Sequence, residues 1–147
     1  MAAHAILSAS GSSKWMNCSG SILAESGMPA DEGSDFAREG TAAHELAEMC
    51  LNSQRPPESY IGIEVEGWIV DEEMADHVSK YVDYCNMHTG KKYYELRVDY
   101  SRWAHGGFGT ADCVAVDDGV LNIIDSDTVS GKKPPCKRVL ITSTPTL

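Results

Sequence analysis

The sequence predicts an α+β fold, with N-terminal helices packed on a small mixed β-sheet, and three observations carry that prediction. Residues 35–52 and 71–88 repeat apolar side chains at the ~3.6-residue period of amphipathic helices. From residue 93 the period falls to about 2, as in a strand with one wet face. The apolar runs 108–116 and 120–125 then flank Asp117-Asp118-Gly119, a strong hairpin signal with Asp118-Gly119 as its two-residue turn. At 147 residues and 42% hydrophobic content, the chain is the size of one ordinary domain and can bury a core.

Each element follows from its residues. Residues 12–24 predict a short helix begun by Ser12 or Ser13, with Trp15 and the region of Cys18 turned inward. An acidic loop rich in Gly and Pro comes next. In the helix over 35–52, Asp35 or Ser34 can cap the start, and Ala43, Leu46, Ala47, Cys50 and Leu51 form one apolar arc. His44 falls at the edge of that arc with Glu48 one turn on, so both can face a cleft while the helix packs beside it. Asn52 and Pro56-Pro57 end this helix. The helix over 71–88 opens with Asp71, Glu72 and Glu73, which suit a helix N-terminus, and its stripe is Met74, Val78, Tyr81, Val82 and Cys85. His77 and His88 read as solvated positions. In the following strand Tyr94, Leu96, Val98 and Tyr100 alternate with Glu95, Arg97 and Asp99.

Composition narrows the function classes. Twelve Lys and Arg face 22 Asp and Glu, a formal charge of -10, which excludes a generally basic nucleic-acid coat but leaves room for a local basic groove. All the acids precede residue 130, whereas residues 130–147 carry Lys132, Lys133, Lys137 and Arg138. No run approaches the ~18 apolar residues that span a bilayer, and the start lacks a basic, then long apolar, leader. A cytoplasmic protein without membrane partners is the expectation. Five widely spaced cysteines without a C-x-x-C pair indicate neither a disulfide framework nor a zinc ribbon; most are expected as buried thiols.

The hairpin sets up the chemistry. If Asp118-Gly119 is the turn, Asp117 pairs with Val120, and counting back along both strands brings Asp112 opposite Asp125. Directly opposed side chains share a face with Cβ atoms ~4.5–5.5 Å apart, so two carboxylates would stand side by side. Like charges there repel unless one is protonated or a cation lies between them, and Mg²⁺ or Mn²⁺ is the natural occupant. Another turn length, or solvation of both acids, would remove the pair.

Gly40-Thr41-Ala42-Ala43-His44, Gly109-Thr110-Ala111-Asp112 and Ile123-Ile124-Asp125 resemble, in this order, the successive motifs of RecB-type nucleases in the PD-(D/E)XK superfamily: a G-x-x-x-H helix, a G-x-x-D strand and a D-x-K strand. Leu7-Ser8-Ala9-Ser10 with Trp15 and Cys18, together with residues 38–47, resembles a phage-encoded branch of these proteins. The likeness covers about residues 6–125. It implies a restriction-endonuclease-like core and hydrolysis of DNA phosphodiesters. It also implies His44, Asp112 and Asp125 as ligands of Mg²⁺ or Mn²⁺, the two acids as catalytic residues, and Glu95 or Glu48 as an accessory acid. DNA, a phage or host recombination protein and the host-cell cytoplasm are the implied partners and location. A metal held this way would lower the pKa of water and stabilise charge on the phosphate.

Two departures qualify these expectations. The family's Lys two residues beyond the second acid is here Asp127, which removes a cation that would orient water and adds negative charge. Lys132 and Lys133 are candidate migrated replacements, though Pro134-Pro135 beside them limits their reach. The resemblance also stops where the acid-free segment starts, so the chain divides on this reading into a partial nuclease-like domain over 1–127 and a basic Pro/Thr-containing tail over 128–147. KRVLITST within the tail suits one β-branched strand. A shifted or truncated reading frame after Asp125 is the expectation here, and an alternative frame of the gene without a continuing family pattern would sink it. Function therefore divides between a nuclease, impaired by Asp127 or rescued by a migrated lysine, and a non-catalytic remnant binding metal, DNA or protein. An acidic inhibitor of a host nuclease is the third reading, resting on the acids at 31–35 and 71–76.

Overall fold

The computed structural model of the chain describes residues 5–9, 11–28, 34–126 and 139–142. The architecture is α+β, as the periodicities require. Two compact units emerge. One comprises Met1–Glu32 and Arg97–Thr110, and the other Gly33–Leu96 and Ala111–Leu147.

In the first unit, α1 (Ser12–Asn17) and α2 (Ser21–Glu25) stand where one short helix is expected. Neither buries a residue, and Cys18 between them is exposed rather than turned inward. The reason is composition: Ser and Gly around Cys18 offer no continuous apolar stripe to bury. Trp15 is half-buried and donates its indole N–H to the Ser8 carbonyl at 2.8 Å. The Tyr100 hydroxyl lies 2.9 Å from the Leu7 carbonyl and 3.0 Å from that of Phe108.

The second unit holds the main core. Helix α3 (Asp35–Ser53) starts at Ser34, whose Oγ accepts the Ala37 N–H at 3.3 Å. It buries Ala42, Ala43, Leu46, Ala47, Cys50 and Leu51, the expected arc with one residue added. Its end is set not by Asn52 but by Gln54, which takes a left-handed conformation and donates from its side chain to the Leu51 carbonyl at 2.7 Å, satisfying a carbonyl the helix leaves open. Helix α4 (Glu72–Met87) is capped by Asp71, whose Oδ1 accepts the Met74 N–H at 2.8 Å; such a cap is worth about 1 kcal/mol. It buries its predicted stripe, plus Ala75. The two helices share one core with Tyr60, Val65, Val70, Cys113, Ala115 and Ile124. Each large side chain fully buried there, such as Leu46 or Ile124, contributes about 1.5–3 kcal/mol.

Strands β1 (Glu64–Val65) and β2 (Trp68–Ile69) form a small antiparallel hairpin that periodicity does not reveal, because each strand is only two residues long. Its turn residues Glu66 and Gly67 have φ of 48° and 76°, the same left-handed pair as Asp118 and Gly119 at 47° and 78°. Both turns thus have the twist that two-residue hairpins favour.

The larger sheet runs β3-β4-β5-β6, with β3 (Lys91–Asp99), β4 (Phe108–Asp117), β5 (Val120–Ile124) and β6 (Val139–Thr142). The β4–β5 and β5–β6 ladders are antiparallel, where a mixed sheet is the expectation from sequence. For β4 and β5 the cause is the turn itself, since two residues reverse a chain but cannot carry a parallel crossover. The register runs from Asp117↔Val120 to Cys113↔Ile124, as the Asp118-Gly119 turn demands. β6 supplies a strand from within the basic C-terminal segment. No helix among the described residues is long and apolar enough to cross a membrane.

Candidate functional site

Burial of the apolar arc of α3 fixes its rotation and leaves His44 at the border of the core. On β4, Cys113 goes fully into the core, and the side chain of its neighbour Asp112 is 16% exposed at the core's border. The two meet: His44 Nδ1 lies 3.2 Å from Asp112 Oδ2. The same oxygen accepts the Ser126 N–H at 2.9 Å. One step past the last ladder pair, the register brings Asp125 opposite Asp112, and the Asp125 carboxyl adds a hydrogen bond to it.

A small open cleft lies over this pair, lined by His44, Ala47, Glu48, Leu51, Tyr81, Tyr94, Glu95 and Asp112. Tyr94 and Glu95 are consecutive in β3, yet both line it. Successive strand residues normally face opposite sides. Glu95 escapes that rule because its φ is +47°, a left-handed conformation in mid-strand that re-aims its side chain. Glu48 reaches the cleft from one helical turn beyond His44, as its spacing predicts.

The electrostatics follow from these positions. Burial by itself would raise the pKa of Asp112, but hydrogen bonds from His44, the Ser126 N–H and Asp125, with the charge of His44, hold it below the usual carboxylate range. The hydrogen bond to Asp112 raises the pKa of His44 above its ordinary value against the opposing effect of burial, helped by the charges of Asp112, Asp125 and Glu95. Glu95 is pushed up first by burial, then by the negative charges of Asp112, Glu48 and Glu45, with His44 opposing. The cleft gathers the carboxylates of Asp112, Glu95 and Glu48 beside the imidazole of His44.

One imidazole and several carboxylates offer the donor chemistry of a site for Mg²⁺ or Mn²⁺. In donor type the residues fit such an ion. In placement, no group of three or more His, Cys, Asp or Glu among the described residues is gathered to hold one, since His44 and Asp112 engage each other.

The other sequence-derived candidates fall elsewhere. Asp127, Lys132 and Lys133 lie outside the described residues. Cys50, Cys85 and Cys113 are buried thiols, as expected. His88 is not solvated: at the C-cap of α4 it pairs through Nδ1 with Asp117 Oδ2, while Asp117 Oδ1 accepts the Gly90 N–H at 2.5 Å. Helical periodicity misses that role because Asp117 comes from the distant β4–β5 hairpin. Tyr81 is likewise expected only as core, yet it lines the cleft.

Residues 4–132 match a family model described as "Protein of unknown function (DUF2800)". No solved structure matches the chain.

Proposed function

The chain belongs to the DUF2800 family of proteins of unknown function, and on that premise we propose that it is a RecB-like, metal-dependent DNA nuclease of phage type, impaired in catalysis by Asp127. The observation that carries the proposal is convergence. His44 from α3 and Asp112 from β4 are in contact, Asp125 is the next register step, and Glu95 is turned into the same cleft by a strained backbone. These come from motifs far apart in sequence and have no shared structural reason to meet; a core would bury apolar residues there. The resemblance of the ordered motifs to RecB-type nucleases supplies the reaction class.

His44, Asp112 and Asp125 would hold Mg²⁺ or Mn²⁺, with Glu95 and Glu48 as accessory acids. When bound, the ion supplies a lowered pKa for water and compensation of charge on the phosphate. The chain's own residues do the rest. Asp112 is held by the Ser126 N–H, which fixes one oxygen and orients the carboxylate. Glu95 and Glu48 surround the cleft with negative charge, which disfavours an anionic phosphate until a cation is present. Asp127 stands where a lysine would orient the attacking water, and this supports impaired catalysis or a binding remnant as the second reading.

The test is cleavage of linear double-stranded and single-stranded DNA with Mg²⁺ and with Mn²⁺, accompanied by melting curves. A nuclease cuts, and Asp112→Ala or Asp125→Ala abolishes cutting. A remnant melts higher with Mn²⁺ but does not cut. Neither cleavage nor a metal-dependent shift would refute both.

A further inference from the structure

Trp103, in the connection between β3 and β4, is 81% exposed, yet the turn that carries it is tightly built. The Tyr100 N–H donates to the Gly107 carbonyl at 3.1 Å, the N–H groups of Trp103 and Ala104 donate to the Tyr100 carbonyl at 2.9 and 3.1 Å, and the Gly107 N–H donates to the Ala104 carbonyl at 2.7 Å. Ala104 is buried, and a Cβ at Gly107 would run into the Tyr100 ring. The backbone is therefore fixed by its own hydrogen bonds and close packing, with the indole held out into solvent. An indole is among the largest apolar surfaces a small unit could bury, so folding supplies no reason to display it.

The surrounding charge is the reverse of the chain's. Residues 97–111 hold Arg97, Arg102 and His105 against one acid, Asp99, in a chain of formal charge -10. The Asp99 Oδ1 already accepts the Ser101 N–H at 2.7 Å. The Arg97 guanidinium lies over the Phe108 ring, 3.9 Å from its centroid, and neither Arg97 nor Arg102 is ion-paired among the described residues. Their N–H donors are left to an outside anion.

We infer that the β3–β4 connection is a contact for single-stranded DNA, with Trp103 stacking on an unpaired base and Arg97 and Arg102 pairing with phosphates of the same strand. The inference rests on the DNA reading above and narrows the substrate to single strands. An aromatic plate flanked by cations is the combination that binds such strands, the plate taking a base face and the cations the backbone. A duplex offers no free base face away from its ends, because each base is already stacked on its neighbours. Rigidity of the turn favours binding, since the plate is already ordered before the strand arrives.

The test uses the full chain in EDTA, so that no cleavage occurs, titrated at low salt with a labelled oligo(dT) and read by anisotropy and by tryptophan emission. The wild type should bind with quenching of its emission, and more tightly than it binds a duplex of equal length. Trp103→Ala should keep its melting temperature, because the side chain is exposed, bind about tenfold more weakly, and lose the quenching; Trp103→Phe should recover most of the affinity. Arg97→Gln and Arg102→Gln should each weaken binding and flatten its salt dependence by about 0.7 in the logarithmic slope. Undiminished binding by Trp103→Ala, equal affinity for duplex, tighter binding of oligo(U), equal competition by polyglutamate or no binding by the wild type would each overturn the inference. Its failure is separable from that of the nuclease reading: cleavage in Mg²⁺ without this binding sinks the contact alone, whereas binding in EDTA with neither cleavage nor a metal-dependent melting shift sinks the nuclease reading alone.

Discussion

His44 on α3 and Asp112 on β4 are joined by a 3.2 Å contact between Nδ1 and Oδ2. The pair links a helix and a strand separated by most of the second unit's sequence, and it sits at the mouth of the cleft rather than in the core. A half-exposed pair of this kind contributes about 1 kcal/mol or less, because solvent screens it.

The pair makes stability depend on pH with a defined sign. His44 is raised in the folded state, so its contribution is complete below the unfolded value of about 6.5 and is lost as pH rises through the folded value. Asp112 is lowered, so its contribution is complete above about 3.9 and is lost as pH falls through the folded value. The difference in melting temperature between wild type and His44→Asn should therefore be largest between about pH 4 and 6.5 and shrink above neutrality. Melting curves across that range check it, and a difference that grows toward pH 8.5 would contradict the pairing.

Glu95 reverses an ordinary strand preference. Alanine normally outperforms glycine in a strand, but at φ +47° a Cβ is costly and glycine is free of that cost. Glu95→Gly should be more stable than Glu95→Ala by about 1 kcal/mol in urea unfolding. Equal stabilities, or the usual order, would argue against the left-handed backbone that turns Glu95 into the cleft.

Gly90 permits the approach of the β3 start to the β4–β5 hairpin. A Cβ there would penetrate the Val116 carbonyl and the Asp117 carboxylate. Gly90→Ala should cost about 1–3 kcal/mol, as forced overpacking does. Gly27, with nothing within 4 Å of the corresponding position, is the control and should tolerate alanine within about 0.5 kcal/mol. Chemical denaturation of both variants measures the contrast.

Asp127 is the residue on which activity turns in the proposed function. Asp127→Lys should give Mg²⁺-dependent cleavage of linear DNA about a hundredfold or more above wild type, the lower end of what one positioned electrostatic group supplies in mutagenesis of active sites. A nuclease assay with Asp112→Ala in the same background separates this from contamination. No gain, with the metal-dependent melting shift intact, would favour the binding remnant.

Much of the fold was legible because each long element carries its own period. The arcs of α3 and α4 are written in the spacing of Leu46, Cys50, Val78 and Cys85, and the turn in Asp118-Gly119 dictated the β4–β5 register. Short elements were not legible. The β1–β2 hairpin has no room for alternation, and only Glu66-Gly67 between Val65 and Trp68 signals it. The break at Cys18 and the left-handed end at Gln54 depend on which surfaces are available to bury, which spacing does not encode. Of the candidate site, His44, Glu48, Glu95 and Asp112 could be named from sequence, yet the alternation of β3 would put Tyr94 and Glu95 on opposite faces.

The sequence by itself determined the helical faces, the hairpin turn and, through it, the opposition of Asp112 and Asp125, since each is a local matter of period and backbone preference. Only the tertiary structure decided that His44 touches Asp112, that a left-handed backbone residue brings Glu95 to the same cleft, that His88 is paired with Asp117, and that Tyr81 lines the cleft. Those relationships depend on how α3 and α4 seat against the sheet. Seating is chosen by the burial of both apolar faces at once, a condition on the whole core that no single stretch of chain contains.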